Sequence, residues 1–258
     1  MNITVQELTV DSAMGRTFSH SLSSGTAVTV DTAAAYPPAR TGDIVANGDV
    51  RWTGSAPLYF RTRHSVTISP GVTVANAGSG RFTVAADALA ANNGGSVLNY
   101  GVTEWCRSTG LVEMYYDRNG AYVPGVQRTN PAWRPAHLSG LKTQITGYMQ
   151  INDSADFSAI YDNLAGNYRV NPSASKLYNG TTLPSPIGSA EHPFTGQFDG
   201  GGSVFSVSVD ARNTNSSSTT GMFGVVGEGA VVRDFALANG LATASQGALG
   251  ISRGATTG

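Results

Sequence analysis

Val28-Thr29-Val30, Ile44-Val45, Val66-Thr67-Ile68 and Phe82-Thr83-Val84 are four short segments in which apolar residues alternate with small or polar ones. Alternation of this kind turns one side of a segment to a core and the other to solvent, as a half-buried strand does. The breakers Tyr36-Pro37-Pro38, Asn47-Gly48-Asp49, Ser69-Pro70-Gly71 and Asn92-Asn93-Gly94-Gly95 separate or follow them. The segments start 16, 22 and 16 residues apart. A recurrence of roughly 20 residues matches one coil of a β-solenoid, which buries its inner face only against its neighbours. The strands of a β-sandwich return about every 8–12 residues. The spacing favours the solenoid.

Composition agrees. Of 258 residues, 13% are charged, and 16 basic against 17 acidic side chains leave a net charge of −1. An ordinary domain is about 25% charged. A near-neutral chain lacks the basic footprint of nucleic-acid binding. Hydrophobic residues at 40% suffice for a core, and 32 Gly with 11 Pro supply many turns. No apolar run of about 18 residues is present, so no transmembrane helix is expected. The single Cys106 excludes an internal disulfide and a cysteine-built zinc site. His20, His64, His137 and His192 share no metal-ligand spacing, and nothing in the sequence calls for a cofactor.

Four segments follow along the chain. Residues 1–103 read as N-terminal solenoid coils. Residues 104–149 gather Trp105, Tyr115, Tyr116, Tyr122, Trp133 and Tyr148 with Pro124, Pro131 and Pro135, without a clean period. They read as an aromatic-rich insertion, partly hairpin and partly irregular. Its aromatics are either core or a sugar-stacking platform, in which case Trp105, Tyr115, Tyr116, Tyr122 and Trp133 contact a ligand. Residues 150–183 hold a helix of about three turns, capped by Asp153 or Ser154, striped by Phe157, Ile160, Tyr161 and Leu164, and stopped by Gly166.

In residues 184–258 the solenoid pattern returns. Phe194-Thr195-Gly196-Gln197-Phe198-Asp199-Gly200-Gly201-Gly202 leads into Val204-Phe205-Ser206-Val207-Ser208-Val209. A polar loop, Asn213 to Thr220, offers Asn213 and Asn215 as further ligand contacts. Gly221-Met222-Phe223-Gly224 then opens toward Val231-Val232-Arg233-Asp234-Phe235, and a second copy starts at Gly247, 26 residues later. Val204, Phe205, Val207, Val209, Phe223, Val231 and Phe235 are the expected stacked core.

These stretches resemble a known family. Phe194 to Val209 is similar to the pattern FxGxFDGxGHxIxxLxI, and Gly221 to Phe235 to its partner, the GLUG repeat. Asp156 to Tyr168 resembles the DLQAINxNLxGNYAL segment, and Pro186-Ile187-Gly188 the PIG before the first pattern. In order, they resemble filamentous-haemagglutinin-like exoproteins, the bacterial adhesins of two-partner secretion. Phe194, Gly196, Phe198, Asp199, Gly200, Gly221, Phe223 and Gly224 carry the likeness. It implies a right-handed parallel β-helix, passage through an outer-membrane transporter, a secreted or cell-surface location and attachment to a host-cell or matrix glycan or protein receptor. Ser203 stands where the pattern has His, Arg169-Val170-Asn171-Pro172 replaces an acidic run, and the signatures of the secretion domain are missing.

The competing expectation is a carbohydrate-active β-helix, a polysaccharide lyase or glycosidase. It needs two carboxylates roughly 5 to 9.5 Å apart; the acids are sparse, and a cross-coil pair such as Glu191 with Asp210 is one example that would meet the need. Asp199, between Phe198 and Gly200, suits a turn in which Asp accepts backbone donors. No GxSxG elbow and no phosphate-loop Lys-Ser/Thr accompany the glycines. Met1-Asn2-Ile3-Thr4-Val5 shows no basic and apolar leader, and the second repeat stops at Gly258 without a polar coil. Together they give the expectation of a segment from a longer exported chain.

Overall fold

The computed structural model describes residues 1–34, 41–135, 140–174, 179–183, 185–210, 221–238 and 241–243, with the backbone alone for 179–182, 207, 209, 210 and 241–243. Two compact units result, residues 1–135 with 143–149, and residues 136–142 with 150–258.

The first unit contains β1 (Asn2–Thr4), β2 (Leu8–Val10), α1 (Ser12–Ser23), β3 (Val28–Asp31), β4 (Ile44–Ala46), β5 (Val50–Trp52), β6 (Leu58–Arg61), β7 (Val66–Ile68), β8 (Thr73–Asn76), β9 (Phe82–Ala85), β10 (Val97–Asn99), β11 (Val102–Glu104), β12 (Val112–Tyr116), β13 (Tyr122–Val123), β14 (Val126–Arg128) and β15 (Ile145–Ile151), the last belonging here up to Met149. Within the unit they form three runs of paired strands, ordered β1-β3-β6-β9-β12-β15, β2-β4-β7-β10-β13 and β5-β8-β11-β14. Every pairing is parallel. Consecutive strands enter the three sheets in rotation: β3, β4, β5, then β6, β7, β8, then β9, β10, β11, then β12, β13, β14. The fold is therefore mostly β and parallel, which removes the antiparallel sandwich.

The four sequence segments are β3, β4, β7 and β9, but their spacing mixes sheets. Val28 pairs with Leu58 and Leu58 with Phe82, so one pass takes 30 and then 24 residues. The strands between them, β5, β6 and β8, are of the same three or four residues, but β6 carries Tyr59 on its outer side and β8 buries the polar Thr73 and Asn76, which blurs the alternation. The described residues of 104–149 are no insertion and hold no hairpin. They supply β12, β13, β14 and β15 to the same parallel sheets, because Val112, Met114 and Ile145 continue the inward rows. Val28, Leu58, Phe82, Val112 and Ile145 stack as one such row, all buried. Burying each contributes roughly 1.5–3 kcal/mol before entropy is counted.

Side chains also link successive passes at a corner. Asp43 Oδ1 accepts the Ser65 N–H at 2.8 Å, Ser65 Oγ accepts the Ser96 N–H at 3.0 Å, and Ser96 Oγ accepts the Ala121 N–H at 2.9 Å. These residues immediately precede β4, β7, β10 and β13. Each ties one pass to the next by a donor that its own pass leaves unused.

The helix α1 escapes the sequence reading because Ser, Thr, His and Gly make up much of it, all weaker helix formers than Ala. Its signals are a cap and a stripe. Asp11 accepts the Met14 N–H at 2.8 Å, and Phe18 and Leu22 follow Met14 at intervals of four and are buried.

The second unit holds α2 (Ser154–Ser158), β16 (Asn167–Val170), β17 (Asn179–Leu183), β18 (Gln197–Asp210), β19 (Val231–Leu237) and β20 (Leu241–Thr243). The long β18 pairs in parallel with β16 and β19, and farther along with β17 and β20. Its register slips between Asp199 and Ser203. The expected three-turn helix is shorter: α2 spans 5 residues and passes into a 3-10 turn, Ala159–Asp162. Asp153 caps it as expected, accepting the Ala155 and Asp156 N–H groups. Among the described residues, no helix is long and apolar enough to cross a membrane.

Tyr161, in that 3-10 turn, donates its hydroxyl hydrogen to the Ser185 carbonyl. Burial pushes its phenol from 10.0 up to about 12. A folded pKa above the unfolded one means that the stabilisation is complete below pH 10 and declines as pH rises from 10 through 12. An alkaline titration of unfolding free energy is expected to fall across that window, and Tyr161→Phe to flatten the fall. An unchanged slope in Tyr161→Phe would exclude Tyr161 as its source.

Candidate functional site

The phenylalanines of the family-like motifs converge in the second unit. Phe198 lies with its ring centroid 5.3 Å from that of Phe223, 5.6 Å from Phe235 and 5.9 Å from Phe157, and Phe194 lies 5.3 Å from Phe223. Phe205 joins them 6.3 Å from Phe198. Phe194, Phe198 and Phe205 are fully buried. The motif is thus a packing motif, and edge-on rings add to the burial of area. Of the expected stacked core, Val204 is a correction: it is 50% exposed, on the opposite side of β18 from Phe205. Val231, Phe223 and Phe235 are half-buried, and the side chains of Val207 and Val209 lie outside the described residues.

Two of the motif glycines, Gly196 and Gly200, serve close approach. Gly196 sits on the Gly166 carbonyl, to which its neighbour Gln197 donates its N–H at 3.1 Å. Gly224 donates its N–H to Ile187 O at 2.8 Å. Gly200 lies against Phe235, and Gly221 in a half-buried bend opens the second motif.

Asp199 does accept a turn donor, the Gly201 N–H at 2.9 Å. It also does what the sequence does not reveal. The register aligns Arg169, Asp199 and Arg233 across β16, β18 and β19. Asp199 Oδ2 is 2.7 Å from Arg233 Nη2 and 4.0 Å from Arg169 Nη1, with its side chain 5% exposed. One carboxylate between two guanidiniums clamps three strands, and Arg233 has a second carboxylate partner, Asp234 Oδ2, 3.4 Å from its Nη1. Beside this row, Gln197 Nε2 donates to Asn167 Oδ1 at 3.0 Å, and Lys142 Nζ to Thr195 O at 2.9 Å.

In the first unit the aromatic candidates separate. Trp105 is a correction. It is fully buried, 5.5 Å from Trp52 and 6.2 Å from Phe82 between ring centroids, so it offers no face to a ligand. Tyr115, 6% exposed, packs on Tyr148 and is a correction of the same kind. Both were ambiguous in sequence because a single aromatic does not declare which way it faces. Tyr116 and Tyr122 are half-buried and stack at 5.0 Å with 8° between their planes, and Gln127 Nε2 donates to Tyr122 Oη at 3.2 Å. Burial pushes both phenols up. Trp133, half-buried, sits on the turn in which its N–H meets Asn130 O. Asn213 and Asn215 lie outside the described residues.

A polar cluster that the sequence did not single out lies at the Asp43 corner. His64 Nδ1 is 2.9 Å from Asp43 Oδ1, which also takes the Ser65 N–H. Thr41 Oγ1 is 2.8 Å from Glu7 Oε1 and 2.9 Å from Asp43 Oδ2. Burial pushes the Asp43 carboxyl up, but Ser65, His64 and Thr41 more than offset it and hold it below the ordinary range. The arrangement orients an imidazole on a carboxylate, yet its contacts serve the corner between passes. Among the described residues, no three His, Cys, Asp or Glu side chains form a metal-holding group. Glu191 is exposed on a turn, and the side chain of its expected partner Asp210 lies outside the described residues.

No family model, no curated protein and no solved structure matches the chain.

Proposed function

We propose that the rotation of parallel strands through three sheets is a right-handed parallel β-helix, and that the chain is a shaft or receptor-presenting segment of a large secreted bacterial surface adhesin. The rotation itself carries the reading: parallel strands recur pass upon pass with their side chains stacked in register. Right-handed crossovers are the rule for parallel strands in one sheet. The ordered motifs from Phe194 to Phe235 add the two-partner adhesin, with an outer-membrane transporter as partner of the full-length protein. Stacked passes present short polar loops on a rigid support, which suits shallow, repeated contacts with a host-cell or matrix glycan or protein. The half-exposed rims of Tyr116, Tyr122 and Trp133, together with Asn213 and Asn215, are the contact residues of this reading.

A glycan array, followed by assay of the bound sugars, tests it. Retention of intact glycan or matrix protein is the expected result. New reducing ends or unsaturated sugars would replace the adhesin with a glycosidase or lyase. No retention on any glycan, matrix protein or host cell would end the receptor-presenting role.

A further inference from the structure

The sheet ordered β2-β4-β7-β10-β13 turns one residue of each short strand outward. Val45, Thr67 and Leu98 lie half-exposed between buried neighbours, and Val123 continues the row on β13. The ladder register aligns all four. Two positions farther, at the corner that closes each strand, Asn47, Ser69 and Tyr100 form a second row. Their N–H groups bond the carbonyls of Val10, Ala46 and Ile68 at 2.8, 3.0 and 2.8 Å. Alternation puts both rows on the same side of the sheet.

Tyr100 is 52% exposed, and among the described residues neither its ring nor its hydroxyl has a partner. Its support is rigid. The fully buried Asn99 accepts the Gly101 N–H at 2.9 Å and donates to Pro124 O at 2.9 Å and Thr103 Oγ1 at 3.0 Å. The residues on both sides of Tyr100 are thus fixed, and an aromatic on a fixed backbone loses little freedom on binding. Ser69 Oγ donates to Asn47 Oδ1 at 2.6 Å, which leaves the Asn47 amide hydrogens as donors and the Ser69 oxygen as an acceptor.

Charge separates this face from the other two. Around β3, β6, β9 and β12 stand Asp31 with Arg61 at 2.9 Å and Arg81 with Glu113 at 3.7 Å. Around β5, β11 and β14 stand Asp49 with Arg51 at 3.1 Å and Glu104 with Arg128 at 3.4 Å. Between β4 and β13 neither row of the remaining face holds a charged side chain. At its leading corner Asp43 and His64 pair with each other at 2.9 Å. Size matters too. Three steps of about 4.8 Å by four residues of about 3.3 Å give roughly 200 Å², a quarter of the 800 Å² or so that each partner gives to a stable protein interface. Such a strip suits a chain ligand one ring wide.

We propose that this face binds an uncharged glycan laid along the stack, with sugar rings against Leu98 and Tyr100 and sugar hydroxyls on Thr67, Ser69 and Asn47. Apolar carbon with a few placed polar groups is what neutral small ligands meet in their sites. A carboxylated or sulfated chain would lose hydration here with no cation to replace it. The choice of a glycan rests on the receptor-presenting reading; the place on the surface does not.

The test measures binding of the full chain to an array of neutral glucans, mannans and galactans, with polygalacturonate and heparin as the anionic arm and immobilised collagen as the protein arm. Retention on a neutral glycan is expected. Tyr100→Ala is expected to weaken it on the order of tenfold with an unchanged unfolding midpoint, because the side chain is exposed. Tyr100→Phe keeps the ring and is expected to retain most of the binding. Thr67→Arg sets bulk and charge in the middle of the strip and is expected to lower binding at least as far as Tyr100→Ala. Tyr59→Ala, on the charged outer side of β6, is expected to change nothing. Full binding of a neutral glycan by both Tyr100→Ala and Thr67→Arg would overturn the site and leave the receptor-presenting reading standing. Retention on the anionic glycans alone would overturn the uncharged class. Retention on collagen alone, lost with Thr67→Arg, would give the face to a protein instead. No retention on any arm would overturn the site and weigh against the reading with it.

Discussion

Trp105→Ala is expected to lower the unfolding free energy of the first unit by about 4 kcal/mol, in the range of large-to-small changes in a packed core. The indole is fully buried, lies edge-on to Trp52 and nearly parallel to Phe82, and donates from Nε1 to Gly80 O at 3.3 Å. Truncation removes the area and both ring contacts, and it leaves a void between strands whose backbone is held by ladders on both sides, so little collapse can follow. Trp105→Phe keeps most of the area and is expected to recover over half of the loss. Denaturant unfolding measures both. A loss below about 1 kcal/mol in Trp105→Ala would show a side chain not packed as described and would return Trp105 to the ligand-contacting candidates.

Gly196→Ala is expected to cost about 3 kcal/mol or more in the second unit. A Cβ at Gly196 would stand 1.9 Å from the Gly166 carbonyl oxygen, which is backbone and bonded to Gln197. The overlap is relieved only by parting β16 from β18, and overpacking that forces backbone apart costs about 1–3 kcal/mol or more. Gly202→Ala is the control. Gly202 has φ +79 with nothing within 4 Å of its Cβ site, so it reports the left-handed backbone alone, at roughly 1–2 kcal/mol. Equal losses in the two variants would sink the close-approach account of Gly196.

Much of the architecture is legible in the amino-acid order, and the rest is hidden for identifiable reasons. Val66-Thr67-Ile68 and its three companions point to stacked strands by themselves, because alternation with frequent breakers has few other uses. The three-strand pass stays hidden: Tyr59 on the outer side of β6 and the buried polar Thr73 and Asn76 of β8 blur the alternation. The helix α1 stays hidden behind weak helix formers. For the candidate site, Phe194, Phe198 and Phe223 are readable as a set from their motifs. The clamp on Asp199 is not, since Arg169 and Arg233 lie 30 and 34 residues away and meet it only through strand register. Aromatics between residues 104 and 149 read as an excursion because their density masks an inward row that Val112 and Met114 continue.

The corner chain from Asp43 through Ser65 and Ser96 to Ala121 sets the steps in which the stack can change length. Every link reads only the next pass, and none reaches two passes away. Its unit of change is therefore a whole pass, about 4.8 Å of stacking distance. Partial gains or losses break a link, while residues added to a loop between corners break none. In the proposed β-helix the stack behaves as a ruler graduated in passes. Lengthening it would move whatever its far end carries in equal steps, without altering the local chemistry of any corner.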